Sequence, residues 1–223
     1  MKLYIIRHGE TDWNKEKRLQ GQSDIPLNDY GRELARITGK ALKDVHFDYV
    51  FSSPLSRAYE TAELLTEGRG IEIKTDERIK EICFGEDEGI PAFERRETFP
   101  LFFEDPENYE PAKGGESYVE LCKRTRDFIE EVIIPLSKQQ PNATVLISGH
   151  GAMNRSLMIY LKHQGIGQMW EGIFQKNCCV NIFEINGYDF KLLQDGKIYY
   201  EEKEDAISGN VYVIGDAIRN GDK

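Results

Sequence analysis

The 223-residue chain has four cysteines and no CxxC pair. That excludes a disulfide framework, and no His/Cys cluster has zinc spacing. Cys83, Cys122, Cys178 and Cys179 read as free, buried or half-buried thiols of a reducing compartment. No apolar run reaches the roughly 18 residues that a membrane span requires. "MKLYIIRHGE" meets charged residues after too short an apolar stretch for a signal peptide, so a cytoplasmic protein is expected. No GxxxxGK[ST] loop occurs, which removes the usual nucleotide-phosphate cradle. No carboxylate cluster offers an obvious magnesium site, and no cysteine stands at Cys-x5-Arg spacing. No Pro/Ser/Gly linker separates two hydrophobic halves, so a single domain over 1–223 is expected.

Positive charge is also scarce. Lysine and arginine number 29 against 39 acids, a net charge of -10. Such a surface disfavours nucleic acid and anionic membrane. It would repel a small anion too, unless cations were gathered in one pocket.

What is present alternates between buried strands and amphipathic helices. "KLYIIR" (2–7), "FDYVFSS" (47–53), "IEIKT" (71–75) and "ATVLISGH" (143–150) read as strands. Asn28 is a candidate N-cap for a helix with Leu34, Ile37, Ala41 and Leu42 as its apolar stripe. Pro54 suits the start of a second helix, through "LSRAYETAELLTE". A third starts at Ser117 and ends or turns irregular at Pro135; "AMNRSLMIYLKH" gives a fourth. "CCVNIFEI" and "YDFKLLQ" read as a closing hairpin through Asn186-Gly187. The pattern predicts an α/β fold, a three-layer α/β/α sandwich around a mostly parallel sheet. Residues 85–116 mix prolines, acids and aromatics without a period and read as a lid insertion. The stretch from about 201 reads as a C-terminal extension, in which "VYVIGDAI" could dock as a strand.

Three predicted strands end in chemistry: Arg7-His8-Gly9, Ser52-Ser53 before Arg57, and Gly149-His150-Gly151. Parallel strands would bring these ends to one rim, where such sheets bind ligands. Two arginines and two histidines converging in an acidic protein call for a dianion, and a tetrahedral phosphate fits best. A neutral imidazole attacks phosphorus well when its other nitrogen is held by a carbonyl. Gly9 would keep such a wall close. Glu81, just past the 71–75 strand, is the best-placed general acid; Glu86 and Glu88 are less well supported.

"RHGETDWN", "SSPLSRAYETA", "EICFGEDEG", "GGES" and "SGHG" together resemble the histidine phosphatase superfamily, in the branch that includes cofactor-dependent phosphoglycerate mutases and small phosphomonoesterases. The match runs over about residues 1–195. The resemblance implies His8 as a nucleophile carrying phosphate. It implies Arg7, Arg57 and His150 as holders of the phosphoryl oxygens, and Glu81 as proton donor. It further implies Asn14, Gln20, Gly21 and Gly151 as substrate contacts, with no metal and no cofactor. A small phosphorylated metabolite would be the partner. An Asp stands where phosphatases of this branch have the Trp of "xWEG", and the longer mutase motif is not visible. Phosphatase is therefore expected over mutase. Arg95-Arg96 on the lid keep the mutase reading open, and a non-catalytic phosphate binder is the third alternative. Phe93, Phe99, Phe102, Phe103 and Tyr109 would either contact a leaving group or fasten the lid.

Overall fold

The computed structural model describes residues 1–91, 94 and 99–201. Phe93, Arg95, Arg96 and "VYVIGDAI" lie outside the described residues.

Four apolar runs form the parallel part of a six-stranded sheet. They are β1 (Lys2–Arg7), β2 (Tyr49–Ser52), β3 (Ile73–Thr75) and β4 (Thr144–Gly149), ordered β3-β2-β4-β1. Leu3 to Arg7 and Val145 to Gly149 are buried throughout, as strands covered on both faces must be. The edge continues antiparallel through β5 (Val180–Asn186) and β6 (Asp189–Lys197), which among the described residues pairs only with β5. Their turn is Gly187-Tyr188, one residue later than expected, because Asn186 pairs with Asp189 and Gly187 takes a φ of +59°.

Helices α2 (Asp29–Ala41) and α3 (Ser56–Leu65) cover one face of the sheet. Helices α5 (Tyr118–Phe128), α6 (Ile134–Gln139) and α7 (Gly151–Leu161) cover the other. The three-layer α/β/α sandwich is thus observed. Asn28 caps α2 through the Gly31 N–H at 2.8 Å. The buried stripe of α2 differs from expectation: Leu34, Ala35, Thr38, Gly39 and Leu42 face inward, while Ala41 is exposed. Gly39 decides this, because a Cβ there would lie 3.0 Å from the Leu65 Cα of α3. Pro135 does not end its helix. The preceding turn, Ile129–Ile133, widens to a π-helix, which accommodates a ring that lacks an N–H and crowds the turn before it. Two short helices complete the elements used below, α1 (Asp12–Lys15) and α4 (Leu101–Glu104).

The register of β1 on β4 does most to position the site. Arg7 pairs with Gly149, so His8 and His150 leave adjacent strand ends side by side. Ser52 pairs with Ser148 from the other side, which brings the start of α3 to the same rim.

Candidate active site

His8 is buried at the end of β1, 3% exposed. Its Nδ1 lies 2.6 Å from the Gly9 carbonyl. A carbonyl only accepts, so the proton sits on Nδ1 and Nε2 presents a lone pair. Gly9 is held by the Thr61 hydroxyl of α3 at 3.0 Å. A Cβ on Gly9 would lie 2.5 Å from the Gly31 carbonyl, so only glycine lets α2 start this close. Burial, followed by the charges of Arg57 and Arg7, holds His8 well below the ordinary histidine pKa; the Gly9 hydrogen bond opposes them.

The His150 ring stands 5.2 Å from that of His8, centroid to centroid. It is fully buried, and neither of its nitrogens has a hydrogen-bond partner among the described residues. Burial, then Arg57, His8, Arg124 and Arg7, depress its pKa well below the usual value. Both imidazoles are therefore neutral at pH 7.

Arg57, in the first turn of α3, is 0% exposed. It donates to the carbonyls of Ser23 at 2.8 Å and Gly21 at 2.7 Å, and its Nε has no partner among the described residues. Burial lowers it to about 10, against the opposing charges of Glu81, Asp24 and Glu88. Arg7 donates to the Gln175 carbonyl at 2.6 Å. Arg7, His8, Asn14, Gln20, Gly21, Arg57 and Glu81 all line one pocket.

Glu81 is 8% exposed. Its carboxylate accepts the N–H groups of Gly151, Ala152 and Met153 at the start of α7, at 2.9, 3.2 and 2.9 Å, and that of Ile82 at 3.0 Å. A helix N-terminus is a natural seat for a carboxylate. The Gly151 N–H, expected to meet substrate, is thus directed to Glu81. Asn14 is the N3 residue of the α1 capping box, with its Oδ1 on the Thr11 N–H at 3.1 Å. Gln20 accepts from the Thr11 hydroxyl at 3.0 Å. Gly21 has a φ of +55°, and a Cβ there would strike the Glu88 carboxylate.

A family model described as histidine phosphatase superfamily (branch 1) matches residues 3–196. The chain belongs to that superfamily. Among its relatives, the uncharacterized phosphatase PhoE of Bacillus subtilis (strain 168) is 38% identical over 154 residues, covering 69% of this chain and 74% of its own. Phosphoserine phosphatase 1 of Hydrogenobacter thermophilus is 33% identical over 174 residues, covering 76% and 80%. The solved structure of Bacillus stearothermophilus YhfR superposes with a TM-score of 0.81 at 34% identity, covering 88% of this chain and 97% of that one. This histidine phosphatase is accordingly an enzyme of the phosphatase/mutase type.

The supporting roles of several residues of the histidine phosphatase site escaped the sequence reading. Glu88 accepts the N–H groups of Gln22 at 2.8 Å, Ser23 at 2.8 Å and Phe84 at 3.1 Å, plus the Ser23 hydroxyl at 2.5 Å. It therefore shapes the loop whose carbonyls hold Arg57. Arg124 pairs with Glu116 through two nitrogens, at 2.5 and 2.8 Å, and donates to the carbonyls of Arg78, Lys80 and Glu81. Asn177 donates to the His8 carbonyl at 3.0 Å. The sequence reading weighed Glu88 only as a less well supported general acid, and the "GGES" block marked Glu116 as part of the motif set without assigning it work.

The outer wall is aromatic. Phe84, Phe102 and Phe103 line the pocket, and Phe99, Tyr109, Tyr118 and Trp170 pack behind them. Tyr118 and Trp170 both donate to the Phe102 carbonyl, at 2.9 and 2.6 Å. Phe99, Phe102 and Tyr109 are core, as the fastening reading expects, and Phe102 and Phe103 line the pocket. Among the described residues no group of His, Cys, Asp or Glu side chains could hold a metal ion, and no helix is long and apolar enough to cross a membrane.

Proposed function

We propose that the protein is a metal-independent phosphomonoesterase that hydrolyses a small phosphorylated metabolite through a phosphohistidine on His8. The observation that carries this reading is the His8 Nδ1 contact to the Gly9 carbonyl, which leaves Nε2 as an unprotonated nucleophile beside two buried arginines. His8 Nε2 attacks phosphorus, the P–O ester bond breaks, and Glu81 gives its proton to the leaving oxygen. Water then attacks the phosphohistidine and returns a proton to Glu81. Inorganic phosphate leaves and neutral His8 is restored. Arg7, Arg57 and His150 hold the non-bridging oxygens and offset the charge that builds during transfer. Asn14, Gln20 and Gly21 shape the floor beneath the phosphoryl group, and Gly151 contributes by anchoring Glu81. Phe84, with Phe102 and Phe103 from the 85–116 insertion, faces the leaving group as an aromatic wall.

The test is hydrolysis of p-nitrophenyl phosphate by wild type and His8→Ala, with trapping of an acid-labile, alkali-stable phosphoenzyme. Equal inertness of the two proteins, with no phosphoenzyme in the wild type, overturns the reading. Activity should survive EDTA; complete loss restored by magnesium contradicts the metal-independent course. Rapid formation of 2-phosphoglycerate from 3-phosphoglycerate and 2,3-bisphosphoglycerate, without net phosphate release, would make the protein a mutase instead.

A further inference from the structure

Arg124 has no donor to spare for a substrate. A guanidinium carries five N–H donors, and here all five are directed into the protein. Nε and Nη2 meet the two oxygens of Glu116 at 2.5 and 2.8 Å. Nη1 donates to the Arg78 and Lys80 carbonyls at 2.6 and 2.7 Å, and Nη2 donates also to the Glu81 carbonyl at 3.0 Å. Arg124 is not part of the pocket lining, although Glu81 is. Whatever it does for the reaction passes through the segment that it grips.

That segment needs a grip. β3 ends at Thr75, and the chain from there to Glu81 forms only one tight helical turn, Glu77–Ile79. Three clamped carbonyls within four positions replace the ladder that β3 ends too early to supply. Glu116 holds the following stretch: its Oε2 accepts the Cys83 N–H at 3.3 Å, and its own N–H donates to the Cys83 carbonyl at 2.8 Å. The Arg124 and Glu116 side chains are 19% and 13% exposed, and a forked pair at that depth has one geometry. Glu81 is therefore held at both ends. Its carboxylate rests on the N–H groups of Gly151, Ala152 and Met153 in α7, and its carbonyl on Arg124 in α5. The hydroxyl of Thr125, beside Arg124, lies 2.6 Å from that of Ser156 in α7, which pins the two helices together. We infer that Arg124, oriented by Glu116, is a positioning residue for the proton donor: it fixes the reach of Glu81 to the leaving oxygen and takes no part in the attack by His8. The inference rests on the proposed reading of Glu81 as general acid and deepens it.

The test compares benzyl phosphate with p-nitrophenyl phosphate. Each carries one ring, but only the benzyl alcohol leaves poorly without a proton. The quantity compared is kcat/KM, which reports steps only up to departure of the leaving group. Arg124→Gln should lower it about tenfold more for benzyl phosphate than for p-nitrophenyl phosphate, the scale of a donor displaced by a fraction of an ångström. Arg124→Lys, which keeps the charge without the fork, should recover only part of that difference. Glu116→Gln, which keeps one acceptor oxygen, should show a smaller difference in the same direction, and it carries the test if Arg124→Gln is too unstable to assay. In the Glu81→Gln background, Arg124→Gln should add no further difference between the two esters. Equal losses on both esters, full recovery by Arg124→Lys, or a difference that persists without the Glu81 carboxyl overturns the inference. Discrimination by Glu81→Gln but not by Arg124→Gln overturns it too and leaves the phosphatase reading standing. No discrimination by Glu81→Gln removes Glu81 from the acid role and takes the inference with it.

Discussion

The inner rim and the outer wall of the pocket are built by different physics. At the rim, three side chains are fixed by hydrogen bonds to or from backbone: His8 by the Gly9 carbonyl, Arg57 by those of Ser23 and Gly21, Glu81 by the start of α7. Those backbone positions are set by strand register and by a few side chains, Thr61 at Gly9 and Glu88 at the loop that holds Arg57. The wall of Phe84, Phe102 and Phe103 is held by ring packing against Phe99, Tyr109 and Trp170. Packing tolerates exchange of similar volumes far better than a directed hydrogen bond tolerates loss of its partner. On the proposed mechanism the rim would decide the reaction and the wall would tell substrates apart.

That contrast can be broken most severely at His8. His8→Ala should cut turnover of every substrate by on the order of 10⁴-fold or more and abolish the phosphoenzyme, as loss of a nucleophile does. Steady-state rates with two unrelated phosphomonoesters check this. Glu81→Gln comes next. It should slow alkyl phosphates by about 10²-fold and p-nitrophenyl phosphate far less, because that leaving group needs little protonation and only the shared hydrolysis of the phosphohistidine feels the change. An equal drop on both removes Glu81 from the acid role. Glu88→Ala should lower kcat/KM by about tenfold or more on all substrates alike, through displacement of the loop that holds Arg57. Glu88→Gln, which keeps one acceptor oxygen, should recover part of the loss.

The wall should respond differently. Phe103→Ala should raise KM for bulky apolar esters by about tenfold and leave kcat near its original value. Phe102→Ala is different again, because Phe102 is 1% exposed and lies in the core; it should cost about 3–5 kcal/mol of stability, read by urea denaturation. The smallest effect is on pH. His8 and His150 have depressed pKa values when folded, so between those values and the ordinary one near 6.5 the unfolded chain binds more protons. Stability should fall as the pH drops below about 6.5, and kcat/KM should show no loss from protonation of His8 until well below that point. An inflection near 6.5 belonging to His8 would mean that the rim is wetter than its burial indicates.

The rim was legible in the sequence because an apolar run ending abruptly in charge is rare, and parallel strands deliver all such ends to one side. β1 and β4 are nearly all apolar and could be placed from that alone. The supporting residues were less legible. Arg124 reads as a surface charge on an amphipathic helix, since three of its partners are carbonyls 43 to 46 positions away. Gln175 and Asn177 lie in a loop without periodicity, and they reach Arg7 and His8 only because β5 runs antiparallel beside β1. The α2 stripe was misread because Gly39 and Thr38 look polar or neutral, yet their small size is what admits α3. Hydropathy has no means of registering close approach.

Glu81 follows β3, a strand of only three residues at the sheet margin, whereas His8 follows the central β1. Sheet margins fray first, so heat should detach the proton donor before it disturbs the nucleophile. A sample warmed short of full denaturation would go on cleaving aryl esters after it had stopped cleaving alkyl ones. Residual activity after heating would then depend on which ester was used to measure it.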